Sequence, residues 1–146
     1  MTDVVLSPEA ISGLAAALER DGVVAAALFG SQATGATGPL SDVDVSIWLD
    51  PALDRGRRLE LRLELTAAAC AALATEALDL LVLNDAPPLL QHRALSQRRL
   101  LVDRDPRARV HLEAWAQLRY LDTALLRDEL ARGLRHRLAE GRFGRP

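Results

Sequence analysis

Residues 42–49, Asp-Val-Asp-Val-Ser-Ile-Trp-Leu, alternate between two kinds of side chain. In an extended chain Asp42, Asp44, Ser46 and Trp48 point one way, and Val43, Val45, Ile47 and Leu49 the other. The second side is wholly aliphatic, so the strand must lie against a core that holds it rigid. Its other side then carries two carboxylates at i and i+2, fixed close together.

The rest of the chain supplies the layers such a strand needs. Ser7-Pro8 reads as a helix start, serine capping and proline in the first turn. Ile11, Leu14, Ala15 and Leu18 give that helix one apolar face, and Gly22 ends it. Val23 to Phe29 is an apolar run of strand length, followed at once by Gly30-Ser31. Residues 32–41 (QATGATGPLS) are rich in turn formers. A helix is expected from about Arg57 to Thr75, then an apolar strand from Ala77 to Leu83. Pro87 and Pro88 open a helix reaching about Gln97, and Arg99 to Val102 is a short strand. Asp105-Pro106 repeats the cap-plus-proline signal and starts a long helix to about Glu140. The order α-β-β-α-β-α-β-α predicts a single α/β domain over residues 1–146, a mixed sheet flanked by helices. Its core would span about 7–103 and its long C-terminal helix about 106–140.

Composition narrows the setting. No apolar run approaches the ~20 residues of a membrane span. The N-terminus lacks the basic and apolar regions of a signal peptide, so a cytoplasmic protein is expected. Cys70 is the one cysteine, so no internal disulfide forms; in its alanine-rich stretch it reads as a small buried hydrophobe. The net charge of -2 hides an uneven split. Residues 1–92 carry 5 arginines against 13 acids, and residues 93–146 carry 13 against 7. The acidic half suits a metal site, and the basic half suits a partner, a nucleotide or RNA; solvated helix faces account equally well for single arginines. Aromatic residues hardly interleave the arginines of 127–145, so an acidic protein surface is preferred over direct nucleic-acid binding. Trp115 and Tyr120, with Leu112 and Leu118 nearby, read as core packing; His92 and His136 read as exposed. The Arg104–His111 spacing matches that of a known type of nuclease site, but it straddles a helix start and is read as chance.

The carboxylates carry the chemistry. Asp42 and Asp44 repel each other unless a cation lies between them, and Mg²⁺ favours such oxygen ligands while leaving room for phosphate oxygens. Alternatively, the two acids face solvent. Asp79 is the one charged residue in the run Ala77–Leu83, which otherwise reads as a buried central strand. A charge there is costly unless paired or metal-bound; a capping or salt-bridged aspartate near Glu76 is the simpler alternative. If the two strands are neighbours, three carboxylates around two divalent ions form the arrangement that nucleotidyl transfer needs. Gly30-Ser31 adds a turn where backbone can approach a phosphate and a hydroxyl can donate to it; alone, it is only a turn.

Phe29-Gly30-Ser31-Gln32-Ala33-Thr34-Gly35 through Ser41-Asp42-Val43-Asp44-Val45 resembles the signature of DNA polymerase β-type nucleotidyltransferases. Within that superfamily the chain is similar to the minimal nucleotidyltransferases. The likeness continues through Leu78-Asp79-Leu80-Leu81-Val82-Leu83-Asn84, Ala86-Pro87-Pro88-Leu89-Leu90 and Arg104-Asp105-Pro106. The resemblance implies a polymerase β palm-like fold, and Gly30 and Ser31 holding the triphosphate of ATP. It implies Asp42 and Asp44 as ligands of two Mg²⁺ ions, with Asp79 completing the second site and helping to deprotonate the acceptor. It also implies an antitoxin that transfers AMP to a tyrosine of a neighbouring HEPN-family RNase toxin. Thr34 stands where many relatives carry a basic residue, which puts the strength of ATP binding in question. Adenylylation of a small molecule, or a non-catalytic toxin-binding module, are the competing readings.

Overall fold

Ser7 caps the first helix as its sequence implies, its Oγ accepting from the Ala10 N–H at 3.1 Å. The computed structural model describes residues 6–30 and 42–141. Helix α1 (Pro8–Leu18) leads into strand β1 (Val23–Phe29), and strand β2 (Val43–Leu49) follows. Asp54 caps α2 (Arg55–Leu73) by accepting from the Arg57 N–H at 2.8 Å. Strand β3 (Leu78–Val82) ends in a single 3₁₀ turn, Leu83–Asp85. Helix α3 (Pro88–Ser96), strand β4 (Arg98–Asp103) and helix α4 (Pro106–Ala139) complete the order. That order and the strand positions match the sequence reading, although α1 stops at Leu18, short of Gly22.

The sheet runs β3-β2-β1-β4. β1 pairs antiparallel with both β2 and β4, whereas β2 and β3 are parallel, so the sheet is mixed. One face carries Val43, Val45, Ile47, Leu49, Leu80 and Val82 against Leu14 and Leu18 of α1 and Leu61, Leu65 and Ala69 of α2. This is the aliphatic side the alternation demanded. The other side of β2 is not left to solvent along its length: Ser46 and Trp48 are buried. Trp48 joins Val24, Ala25, Ala94 and Ala116 in a second, smaller cluster beneath α3 and α4. Among the described residues, the Asp42–Asp44 end of that side is the part left uncovered.

Four expectations need correcting. β3 is an edge strand rather than a central one, and Asp79 is exposed. The run looked central because Leu80 and Val82 pack into the main cluster and Leu81 against the second. Its outward side is managed instead by Arg62, whose Nε donates to the Leu80 carbonyl at 3.3 Å. Trp115 is 57 % exposed and Leu118 54 %, so neither is core; Ala116 is the residue of α4 that is buried. His92 is half-buried, stacked on Tyr120 with ring centroids 3.7 Å apart, while the Arg127 guanidinium lies 4.1 Å from the Tyr120 centroid. Cys70 is half-buried and free rather than fully buried.

Helix α4 is tied to β4 by charge. Arg109 reaches Asp103 at 2.9 Å and Glu113 at 3.2 Å, and Arg98 also pairs with Glu113. Arg104 pairs with Asp21 at 3.0 Å. Several arginines of the basic half are therefore taken up within the chain. No described helix is long and apolar enough to cross a membrane.

Candidate active site

The parallel pairing of β2 and β3 sets Asp44 directly opposite Asp79. Side chains at opposed positions of neighbouring strands leave on the same face, so these two carboxylates stand side by side. Asp42, exposed, lies one residue before β2 begins, two positions from Asp44. The sheet thus brings all three predicted acids to one corner. Burial raises the Asp44 carboxyl above the usual carboxylate range, and the charges of Asp79 and then Asp42 push it the same way. Among the described residues no arginine or histidine forms an ion pair with any of the three.

Gly30 follows Phe29, the β1 residue paired with Asp44. Its φ of +69° is a left-handed conformation that glycine adopts without strain. A Cβ there would lie 2.8 Å from Asp44 Oδ2. Glycine here both adopts the left-handed backbone and makes room for the carboxylate. Ser31 and Thr34 lie outside the described residues, as does the rest of 31–41.

The donor set fits a hard divalent cation, with carboxylate oxygens crowded together and short of positive charge. Among the described residues, however, no three acids, histidines or cysteines converge into a ready-made metal cage. Mg²⁺ takes one or two carboxylates and fills its shell with water and phosphate oxygens.

One supporting residue escaped the sequence reading. Asn84 accepts from the Leu49 N–H and donates to the Leu49 carbonyl, both at 2.9 Å, so its amide extends the sheet ladder at the far end of β2. The signal was there: an amide residue immediately after an apolar strand, where the backbone of the neighbouring strand still needs partners.

Residues 14–107 match the family "Polymerase beta, Nucleotidyltransferase". No curated protein sequence matches the chain at a significant level. Among solved structures, a chain of the complex of tri-AMPylated Shewanella oneidensis HEPN toxin with MNT antitoxin superposes with a TM-score of 0.65 at 18% identity, covering 86% of this chain and 95% of that one. A chain of the toxin–antitoxin MntA–HepT gives 0.62 at 19%, covering 86% and 96%. A chain of a toxin–antitoxin solved with AMP-PNP gives 0.52 at 21%, covering 92% and 98%. At these identities the likeness is one of fold, and it confirms the expected palm-like architecture.

Proposed function

Since the chain belongs to the polymerase beta nucleotidyltransferase family, we propose that it is an antitoxin that transfers AMP from ATP to a tyrosine of a HEPN-family toxin. The observation that carries the reading is the Asp44–Asp79 pairing across β2 and β3, with Asp42 beside it and Gly30 packed against Asp44. Support for the acceptor comes from the structural neighbours, which include an MNT antitoxin with an AMPylated HEPN toxin. An AMP-PNP complex among them supports ATP as the donor.

In the proposed reaction the tyrosine oxygen attacks the α-phosphorus of ATP. The bond from that phosphorus to the bridging oxygen breaks, pyrophosphate leaves, and the phenolic proton is lost. Asp42 and Asp44 would hold Mg²⁺, and Asp79 would complete the set on the acceptor side and help draw off that proton. Bound Mg²⁺ supplies neutralisation of phosphate charge and a lowered pKa at the attacking hydroxyl. Gly30 lets the β1 end approach the phosphates while leaving Asp44 unobstructed, with Ser31 next to it as a hydroxyl donor. The strand itself fixes the geometry: Val43, Val45 and Ile47 are buried on its other side, so Asp44 cannot drift.

The test incubates the protein with ATP, Mg²⁺ and the HEPN toxin encoded beside it, then weighs the toxin and maps the modified peptide. The expected result is addition of AMP to tyrosine, lost with Asp42→Ala. An unmodified toxin, or modification that survives Asp42→Ala, contradicts the reading.

A further inference from the structure

β3 is an edge strand, and a groove of about 500 Å³ lies against it. Leu81 and Val82 of β3 line this groove, with Arg55, Arg58 and Arg62 of α2 and Leu90 of α3. The three arginines are spaced i, i+3 and i+7, which sets them along one face of their helix. Arg55, Arg62 and Leu90 are exposed, so a partner can reach them. Arg58 is already committed to the Leu53 carbonyl at 3.2 Å and to Asp85 at 3.1 Å. Asp85 also lines the groove, and its charge offsets that of Arg58. Arg55 and Arg62 form no ion pair among the described residues. The groove thus joins two unmatched positive charges to an aliphatic lining. Its position ties it to the carboxylates. Leu81 follows Asp79 by two residues on one side of β3, a step of about 7 Å.

We propose that this groove seats an extended, acidic segment of the polypeptide that receives AMP, close to its tyrosine. The inference rests on the AMP-transfer reading and names how that acceptor is held. Two unmatched arginines select carboxylates, and like charges on a wrong partner are turned away. In an extended segment successive side chains take opposite sides, so acidic ones meet Arg55 and Arg62 while apolar ones meet Leu81 and Leu90. Recognition falls to side chains because Arg62 already occupies the Leu80 carbonyl, at the edge an added strand would use. A nucleic-acid strand fits less well, since the lining holds no aromatic ring for a base to stack on. A small anion would leave the leucines uncovered. A segment leaving the groove reaches Asp79 within about three residues, so its acidic side chains flank the modified tyrosine.

Calorimetric titration of the HEPN toxin encoded beside the protein, without ATP, tests the groove. Arg62→Glu and Arg55→Glu should each weaken toxin binding about tenfold. Arg99→Glu makes the same charge change on β4, at the opposite edge of the sheet, and should stay within about twofold of wild type. Arg55 is exposed and outside every ion pair of the described residues, so Arg55→Glu keeps the test sound should Arg62→Glu unfold. In a transfer assay the defect should appear in KM for the toxin rather than in kcat. Toxin bound through these arginines but left without AMP would contradict the transfer and support the groove. Equal loss in Arg99→Glu, or no toxin binding by wild type, would overturn the proposal. So would unchanged toxin affinity in both groove variants, and loss of a uridine oligoribonucleotide in its place would reassign the groove to RNA.

Discussion

The corner holding Asp42, Asp44 and Asp79 and the distal half of α4 are both unsatisfied, in opposite senses. At the corner, like charges are held together by a rigid sheet, with no ion pair among the described residues to offset them. On the helix, Leu130 and Leu134 are 61 % and 40 % exposed, although they continue at helical spacing the face that Leu112 and Ala116 turn to the domain. The first region concentrates like charge; the second has an apolar face that no described residue buries. The contrast teaches that burial is decided by what the fold places opposite a residue, not by the residue's own character. Charge is crowded where the sheet imposes it, and leucine is exposed where the sheet has run out.

Substitutions can break this comparison in a graded way. The largest effect belongs to Asp42→Ala and Asp44→Asn, which should lower AMP transfer about a thousandfold with folding intact, as circular dichroism and a transfer assay would register together. Next comes the core beneath the carboxylates. Ile47 and Leu65 are fully buried, and cutting either to alanine should cost about 2–5 kcal/mol in urea unfolding. Gly30→Ala sets a methyl against Asp44 Oδ2 in a left-handed backbone; about 1–2 kcal/mol of stability should be lost, and transfer should fall further than that loss explains.

A smaller effect follows from the Asp44 carboxyl. A raised pKa means that the folded protein holds the proton more tightly than the unfolded chain does. The group therefore favours folding while protonated and turns unfavourable as pH rises through and past the ordinary carboxylate range. Asp44→Asn should melt slightly higher than wild type at neutral pH without divalent cations, and show no such advantage near about pH 3. Adding Mg²⁺ should raise the wild-type melting temperature more than that of the variant. Smallest of all, Leu134→Gln should change stability by no more than about 0.5 kcal/mol. A cost as large as that of Ile47→Ala would mean that the leucine face is buried after all, and the contrast would fail.

The sheet was largely legible because its rules are local. Alternation fixed β2 and its aliphatic face, and turn formers bracketed β1. What alternation cannot give is the order of strands. β3 has the composition of a central strand because helices and a second cluster cover its leucines, so its edge position, and with it the exposure of Asp79, appears only in three dimensions. Asp79 is therefore marked by its place opposite Asp44 and not by a cost of burial. Helix α4 was misread at Trp115 for a related reason. Apolar residues occur around most of its circumference, so periodicity could not say which side meets the domain.

The proposed transfer depends above all on Asp42 and Asp44 binding nucleotide through a divalent cation. Calorimetric titration of ATP into wild type and an Asp42→Asn/Asp44→Asn double variant, with and without Mg²⁺, addresses that directly. Binding that requires both Mg²⁺ and the two carboxylates is the predicted result. Equal heats from the double variant, or binding indifferent to Mg²⁺, would contradict it.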